Sequence, residues 1–385
     1  MHRSKLPDEG ITIFAQMSAL ARKLNAINLG QGFPDFTPDK TIIEHIRQAF
    51  LNSTHQYAPM KGNEKLRHVL AEKINYFQKT NLTENNITIT AGATQAIFCA
   101  ITAFVHPGDE VIILDPGYDS YRPSVLFNSG VPAPVLSTPP LFKPDFNKIK
   151  DAITDKTRII IVNTPNNPGT HIWTKQDWET LAEILSDRED IIVLSDEVYE
   201  HIVFDGRKHV SVLSIDGLKQ RAIAVYSFGK TFHATGWKIG YAVALEPVII
   251  EFDKIHQYVV YAVNNVMQEG LASYLEWVKQ TKGFDSLDQS HFFEKKRDFL
   301  YNALTNTRLK PIKPEGTYFM LADYSALSQK SDMEFVIDLA HQIGVVTIPL
   351  SPLFINPPEN LRMIRFCFAK REETLQQAVE KLSLL

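Results

Sequence analysis

Ala222-Ile223-Ala224-Val225-Tyr226-Ser227-Phe228-Gly229-Lys230-Thr231 is an apolar run that ends on a short glycine-containing turn carrying a lysine. The run reads as a buried strand, so Lys230 falls at that strand's carboxyl end. Open α/β sheets bind their ligands at that edge. A lysine in a loop is ordinarily a solvated charge, and two sharper readings stand against that one. Gly229-Lys230-Thr231 matches the end of the phosphate-binding pattern G-x-x-x-x-G-K-[ST], but Ala224 occupies the place of its first glycine, inside the strand, so a nucleotide loop is rejected. The other is a lysine that forms an imine with an aldehyde cofactor. That chemistry needs partial desolvation, to free an amine whose ordinary pKa is about 10.4.

Further apolar runs of the same kind surround this one. They are Ile87-Thr88-Ile89-Thr90, Val111-Ile112-Ile113-Leu114, Arg158-Ile159-Ile160-Ile161-Val162 and Ile191-Ile192-Val193-Leu194, with Tyr241-Ala242-Val243-Ala244-Leu245 closing the series. Helical segments such as Ala93 to Phe104 and Lys175 to Leu185 separate several of them, the pattern of a mostly parallel sheet covered on both faces. Polar residues gather just after five of the runs: Gly92-Ala93-Thr94, Asp115-Pro116-Gly117-Tyr118, Asn163 to Gly169, Asp196-Glu197-Val198-Tyr199 and Ser227 to Lys230. One Asp after a strand is usually a helix cap. Five strand ends offering groups to the same sheet edge describe a site.

Composition narrows the class. The 385 residues carry 40 basic and 44 acidic side chains, a net charge of −4 without a long like-charged block, so there is no footprint for nucleic acid or an anionic membrane. The length suggests two or three domains. Cys99 and Cys367 sit in apolar surroundings and read as core residues of a reduced protein. The 12 histidines form no His-Glu-x-x-His or cysteine-histidine cluster, so no metal site is expected. With no signal-peptide core and no stretch of membrane-span length, the cytoplasm is the expected location.

The remaining chain frames this sheet. Residues 1–34 form an arm with a helix-like middle, Ile13 to Leu24, and a loop Gly30-Gln31-Gly32-Phe33-Pro34 whose backbone can approach a ligand. A helix-like Lys40 to Leu51 leads to His55-Gln56-Tyr57-Ala58-Pro59. Beyond residue 270 the pattern changes to an amphipathic His291 to Leu304, then Gly316-Thr317-Tyr318-Phe319-Met320-Leu321, a helix around Glu334 to Ile343, and Leu361 to Phe368. We therefore expect an arm at 1–34, a large domain at 35–275 and a smaller α+β domain at 276–385.

Taken in order and spacing, Asn166-Asn167-Pro168, Ser195-Asp196-Glu197-Val198-Tyr199, Ser227-x-x-Lys230 and Ile364-Arg365-Phe366-Cys367-Phe368 resemble the class I/II, fold-type I aminotransferases that use pyridoxal 5′-phosphate. The resemblance covers nearly the whole chain. It is strongest toward the bacterial methionine aminotransferases and the kynurenine/glutamine aminotransferases, and it implies a mostly parallel seven-stranded sheet sandwiched by helices, with a smaller α+β domain.

What the resemblance implies for single residues has a physical reason in each case. Lys230 would bond the cofactor's aldehyde and, once released, carry the proton between the substrate's Cα and the cofactor's C4′. Asp196 would pair with the ring nitrogen and keep it protonated. Tyr199 and Asn167 would donate to the ring's 3′-oxygen, and Tyr118 would stack on the ring. Gly92, Ala93 and Thr94, entering a helix, would hold the phosphate with Ser227 and Lys238. Lys238 departs from the aspartate branch, which has arginine there, and offers a point charge in place of a fork. Tyr57 would reach the neighbouring subunit's phosphate, which implies a homodimer with shared sites.

For the substrate, Arg365 would clamp the α-carboxylate through two parallel hydrogen bonds, with Arg362 as rival and Gly32 and Asn167 assisting. Phe14, Tyr57 and Phe319 would surround the side chain, joined by Val263 and Asn264 from the partner. That apolar lining suits methionine, phenylalanine or tyrosine, with kynurenine or glutamine also within the family's range. The expected reaction is ping-pong transamination between an L-amino acid and a 2-oxo acid. A cysteine-conjugate β-lyase on the same site stays open, since leaving group and pocket geometry decide between them. A non-catalytic sensor that binds the cofactor is the alternative of another class, weakened because Lys230 and Asp196 are both present.

Overall fold

A seven-stranded sheet runs through the middle of the chain in the spatial order Ile87–Thr90, Gly240–Val243, Ala222–Ser227, Ile192–Asp196, Thr157–Asn163, Glu110–Asp115, Val131–Leu136. The structure, a computed structural model, describes residues 4–7 and 9–385. Gly240–Val243 is antiparallel to both neighbours, and every other pairing in this sheet is parallel. Alternate residues of the central strands feed two cores. Ile112, Ile160, Val162, Val193 and Ala224 face one layer of helices, while Val111, Ile113, Ile159, Ile161, Leu194 and Val225 face the other. Burial on both sides explains why these strands read as continuous apolar runs. Truncating one of them, Ile160→Ala for example, would cost about 2–5 kcal/mol.

Two differences from the sequence reading have simple causes. Val131–Leu136 carries Pro132 and Pro134 and was not expected as a strand. It lies at the sheet's edge, where a residue without an N–H is tolerated if that side faces away from the neighbour. Lys230 sits in a one-turn helix, Phe228–Thr231, that follows its strand directly.

A second sheet, antiparallel throughout, orders Ile348–Pro349, Met363–Cys367, Phe319–Asp323 and Lys310–Ile312. The arm joins it. Thr12 caps helix Ile13–Leu24 by accepting from the Ala15 N–H, and Ile13, Met17 and Ala21, four residues apart, bury one face in the core of this second sheet. Ile27–Asn28 then pairs in parallel with Val345–Val346. Helix Asn265–Thr281 continues across residue 275, and Leu271, Leu275, Val278, Phe284 and Leu287 all pack into the core of the seven-stranded sheet. We propose that the small domain begins beyond Leu287, because the side chains up to that residue pack into the core of the large sheet.

Candidate active site

The carboxyl ends of the central strands open into a cavity of about 600 Å³, a size typical of small-molecule sites. Phe14, Gly32, Gly92, Ala93, Thr94, Tyr118, Asn167, Asp196, Tyr199, Ser227, Lys230, Lys238, Phe319 and Arg365 all line it. Tyr57 does not: it is 81% exposed elsewhere on this chain, edge-to-face against Tyr261. Val263 and Asn264 also lie away from the lining. Val263 is buried, and the Asn264 side chain caps helix Asn265–Thr281.

Each group is aimed by its element. Asp196 ends strand Ile192–Asp196, is buried, and accepts from the Tyr121 hydroxyl at 2.6 Å. Burial pushes its carboxyl up to about 6 against the pull of Tyr121, so this carboxylate favours a cationic N–H beside it. Tyr199 follows one turn later, and burial drives its phenol well upward, which keeps it a proton donor. Asn167 is fixed by its own N–H donating to Asn163 Oδ1 at 2.6 Å.

Lys230 is half-buried with its tip on the cavity. Nζ donates to Gly32 O at 3.1 Å and to the Tyr318 hydroxyl at 2.9 Å, and burial brings the amine down to about 8, with Arg365 pushing the same way. Some of this amine is therefore unprotonated near neutrality, the state a nucleophile or base needs.

At one end of the cavity Gly92 begins helix Ala93–Phe104 with φ +86° and ψ 168°, a conformation essentially reserved for glycine, and no side chain caps that helix. A Cβ on Gly92 would stand 3.3 Å from Lys238 Nζ, and one on Gly240 would stand 2.9 Å from the Ala93 amide, so both glycines keep this cradle open. Open helix amides, the Thr94 and Ser227 hydroxyls and a lysine ammonium form a donor set for a phosphate dianion.

At the other end Arg365 is 1% exposed. Its Nη1 donates to Asn167 Oδ1 at 2.6 Å and its Nη2 to Gly30 O at 3.2 Å, while Nε has no partner. A planar guanidinium with donors to spare, facing a cavity, suits a carboxylate. Phe319 and Phe14 lie across its face, at 3.9 and 5.1 Å from Cζ.

Several lining or supporting groups escaped the sequence reading. Tyr121, which donates to Asp196, carries no local pattern that sets it apart. Tyr318 stands just ahead of strand Phe319–Asp323, outside its alternation, and its hydroxyl reaches Lys230 while Phe319 lines the cavity. Lys370 reaches back to the arm loop, donating to Phe33 O at 2.8 Å and Gln31 O at 3.2 Å. No local pattern marks that contact.

A donor-rich helix terminus, a buried carboxylate, a lysine amine lowered by burial and a buried arginine meet in one cavity, a set that fits an amino-group transferase built around an aldehyde cofactor. The model of the family "Aminotransferase class I and II" matches residues 25–382. Methionine aminotransferase of Escherichia coli (strain K12) is 44% identical over 385 residues, covering 100% of this chain and 98% of that protein. Kynurenine–oxoglutarate transaminase of Dictyostelium discoideum is 32% identical, covering 97% and 94%. The crystal structure of YbdL from Escherichia coli, identified as having a methionine aminotransferase function, superposes with a TM-score of 0.95 at 43% identity and full coverage of both chains.

This chain belongs to the class I and II aminotransferases and is a pyridoxal phosphate-dependent enzyme of that family. The enzyme reading thereby replaces the sensor. No helix among the described residues is long and apolar enough to cross a membrane, and no group of three or more metal-ligating side chains occurs among them.

Proposed function

We propose that this enzyme transaminates L-amino acids with large apolar or aromatic side chains, methionine foremost, against a 2-oxo acid by a ping-pong route. When bound, pyridoxal phosphate supplies an aldehyde that bonds an amine and a ring that takes up the electrons left when Cα loses its proton. The chain's residues do the rest. Gly92, Ala93, Thr94, Ser227 and Lys238 would hold the phosphate, Tyr118 would cover the ring, Tyr199 and Asn167 would donate to its oxygen, and Asp196 would keep a proton on its nitrogen. Arg365 orients the α-carboxylate, which aims the Cα–H at Lys230. Lys230 Nζ would take that proton from Cα and deliver it to the cofactor's C4′. Hydrolysis would release the first oxo acid and leave the amino group behind for the second oxo acid to accept.

The observation that carries the donor class is Arg365 with Phe14 and Phe319 packed on its face. Of the basic residues that line the cavity, Lys238 stands at the phosphate end and Lys230 at the centre, which leaves Arg365 for the α-carboxylate and an aromatic wall for the side chain. The methionine and kynurenine relatives support the same choice. We further propose a homodimer in which Tyr57 serves the other subunit's phosphate, and the cytoplasm as location, in keeping with two free, buried cysteines.

Steady-state turnover across a panel of amino donors with several 2-oxo acids tests the reading. Methionine and the aromatic amino acids should give the highest kcat/KM, with oxo acid as product. Preference for aspartate would contradict it, and pyruvate with ammonia from cysteine conjugates would point to the β-lyase instead.

A further inference from the structure

Three segments distant in sequence meet at the Lys230 amine. Tyr318, fully buried, donates its hydroxyl proton to Gly32 O at 2.7 Å, and Lys230 Nζ lies 2.9 Å from the Tyr318 oxygen and 3.1 Å from Gly32 O. A phenol has a single proton. Since that proton goes to Gly32, Tyr318 can meet the lysine only as an acceptor. The two oxygens are close together and meet Nζ from one side, so one N–H docks there and the other bond directions of the nitrogen turn away. A neutral amine then has one further N–H to satisfy and a lone pair free. An ammonium would have two further N–H groups, and among the described residues no other acceptor reaches them.

Neither oxygen can drift. The Tyr318 ring is held edge-on to Tyr199, with centroids 5.2 Å apart, and packs on Phe293 at 5.7 Å. Lys370 holds the carbonyls on both sides of Gly32.

We propose that Tyr318 is a positioning residue of the reaction: with Gly32 O it forms a dock that holds the Lys230 amine, whenever that nitrogen is free, with its lone pair turned toward the cavity. The dock spans the molecule. It takes Lys230 from the large domain, Gly32 from the arm and Tyr318 from the small domain, so the amine is presented only when all three are in register. Nothing in this role requires Tyr318 to touch the substrate. The inference rests on Lys230 being the cofactor lysine.

Capture of pyridoxal phosphate by the apoenzyme, followed by absorbance as a function of pH, tests it without any amino acid. Tyr318→Phe keeps the ring and removes the acceptor. Its capture rate at the high-pH plateau should fall about tenfold, the rate equivalent of one hydrogen bond. The midpoint of its profile should move to lower pH, because the lost oxygen accepted more strongly from the protonated amine than from the neutral one. In the loaded variant kcat should fall while KM for the amino donor stays. A profile with the parent's midpoint, whatever its height, overturns the role of Tyr318, because a merely structural tyrosine would not move it. Tyr318→Leu carries the same reading if the phenylalanine variant does not fold. A parent that fails to capture the cofactor at Lys230 would overturn the proposed function with it.

Discussion

Arg365 Nη1 donates to Asn167 Oδ1 at 2.6 Å, with both side chains buried, so the residue assigned to the substrate's carboxylate is joined to one assigned to the cofactor's ring oxygen. Substrate and cofactor recognition thus share one hydrogen bond. Arg365→Lys keeps the charge and loses the fork. KM for the amino donor should rise by about 10- to 100-fold, the equivalent of one charged hydrogen bond, with a smaller fall in kcat. The double variant Arg365→Lys/Asn167→Ala should lose less than the two single losses added together, and steady-state kinetics on the four proteins decides this.

Gly92 gives a prediction on cofactor binding and on stability. Its φ of +86° with ψ 168° is a backbone conformation that costs another residue about 1–3 kcal/mol, and an added Cβ presses on Lys238. Gly92→Ala should weaken pyridoxal phosphate binding by about tenfold or more in equilibrium dialysis and, since the apoenzyme bears the same strain, should also lower its thermal unfolding midpoint.

The pH dependence follows from Lys230. Burial lowers its amine to about 8, so the folded protein gives up that proton well before an unfolded chain would. Below pH 8 the amine is increasingly protonated and cannot attack. The rate of cofactor capture by the apoenzyme should therefore rise about tenfold per unit toward pH 8 and level off above it. A rate that keeps rising to pH 10 would mean that the reacting lysine is solvated.

How far the sequence carries these arguments depends on the range of each interaction. Strands such as Ile87–Thr90 and Thr157–Asn163 were legible because their interiors are buried on both faces, which leaves Ile87 and Ile89 in the first and the unbroken apolar run Ile159 to Val162 in the second. Helices Ile13–Leu24 and Ala93–Phe104 were legible from their apolar spacing. Val131–Leu136 was not, since its prolines are tolerated only by an edge position that no local window reveals. At the site, the residues just after strand ends announced themselves by polarity. Tyr121, Tyr318 and Lys370 did not, because what aims them is a partner some 75 to 340 positions away.

Asp196 is the next test. The carboxylate is buried, held by Tyr121, and raised to about 6. Asp196→Asn keeps the shape and removes the charge, so turnover should fall by about 10²–10³-fold or more, the usual cost of losing a preorganised electrostatic partner. Tyr121→Phe removes only the support and should cost a few-fold. Equal losses for the two variants would mean that the charge itself is not used.

Assembly can be read directly. Tyr57 is largely exposed on the single chain, beside Tyr261. Sedimentation equilibrium should give twice the chain mass of 43.7 kDa, and Tyr57→Phe should weaken cofactor binding without changing that mass. A monomer whose affinity for pyridoxal phosphate is the same with and without Tyr57→Phe would remove Tyr57 from the site.

The proposed reaction turns on one nitrogen. Reducing the loaded enzyme with sodium borohydride, digesting it and locating the pyridoxyl mass by peptide sequencing in a mass spectrometer asks which lysine holds the cofactor. The label should fall on the peptide that contains Ser227-Phe228-Gly229-Lys230, at Lys230, and be missing from Lys230→Ala. A label at Lys238 or at any other lysine, with Lys230 unmodified, would contradict it.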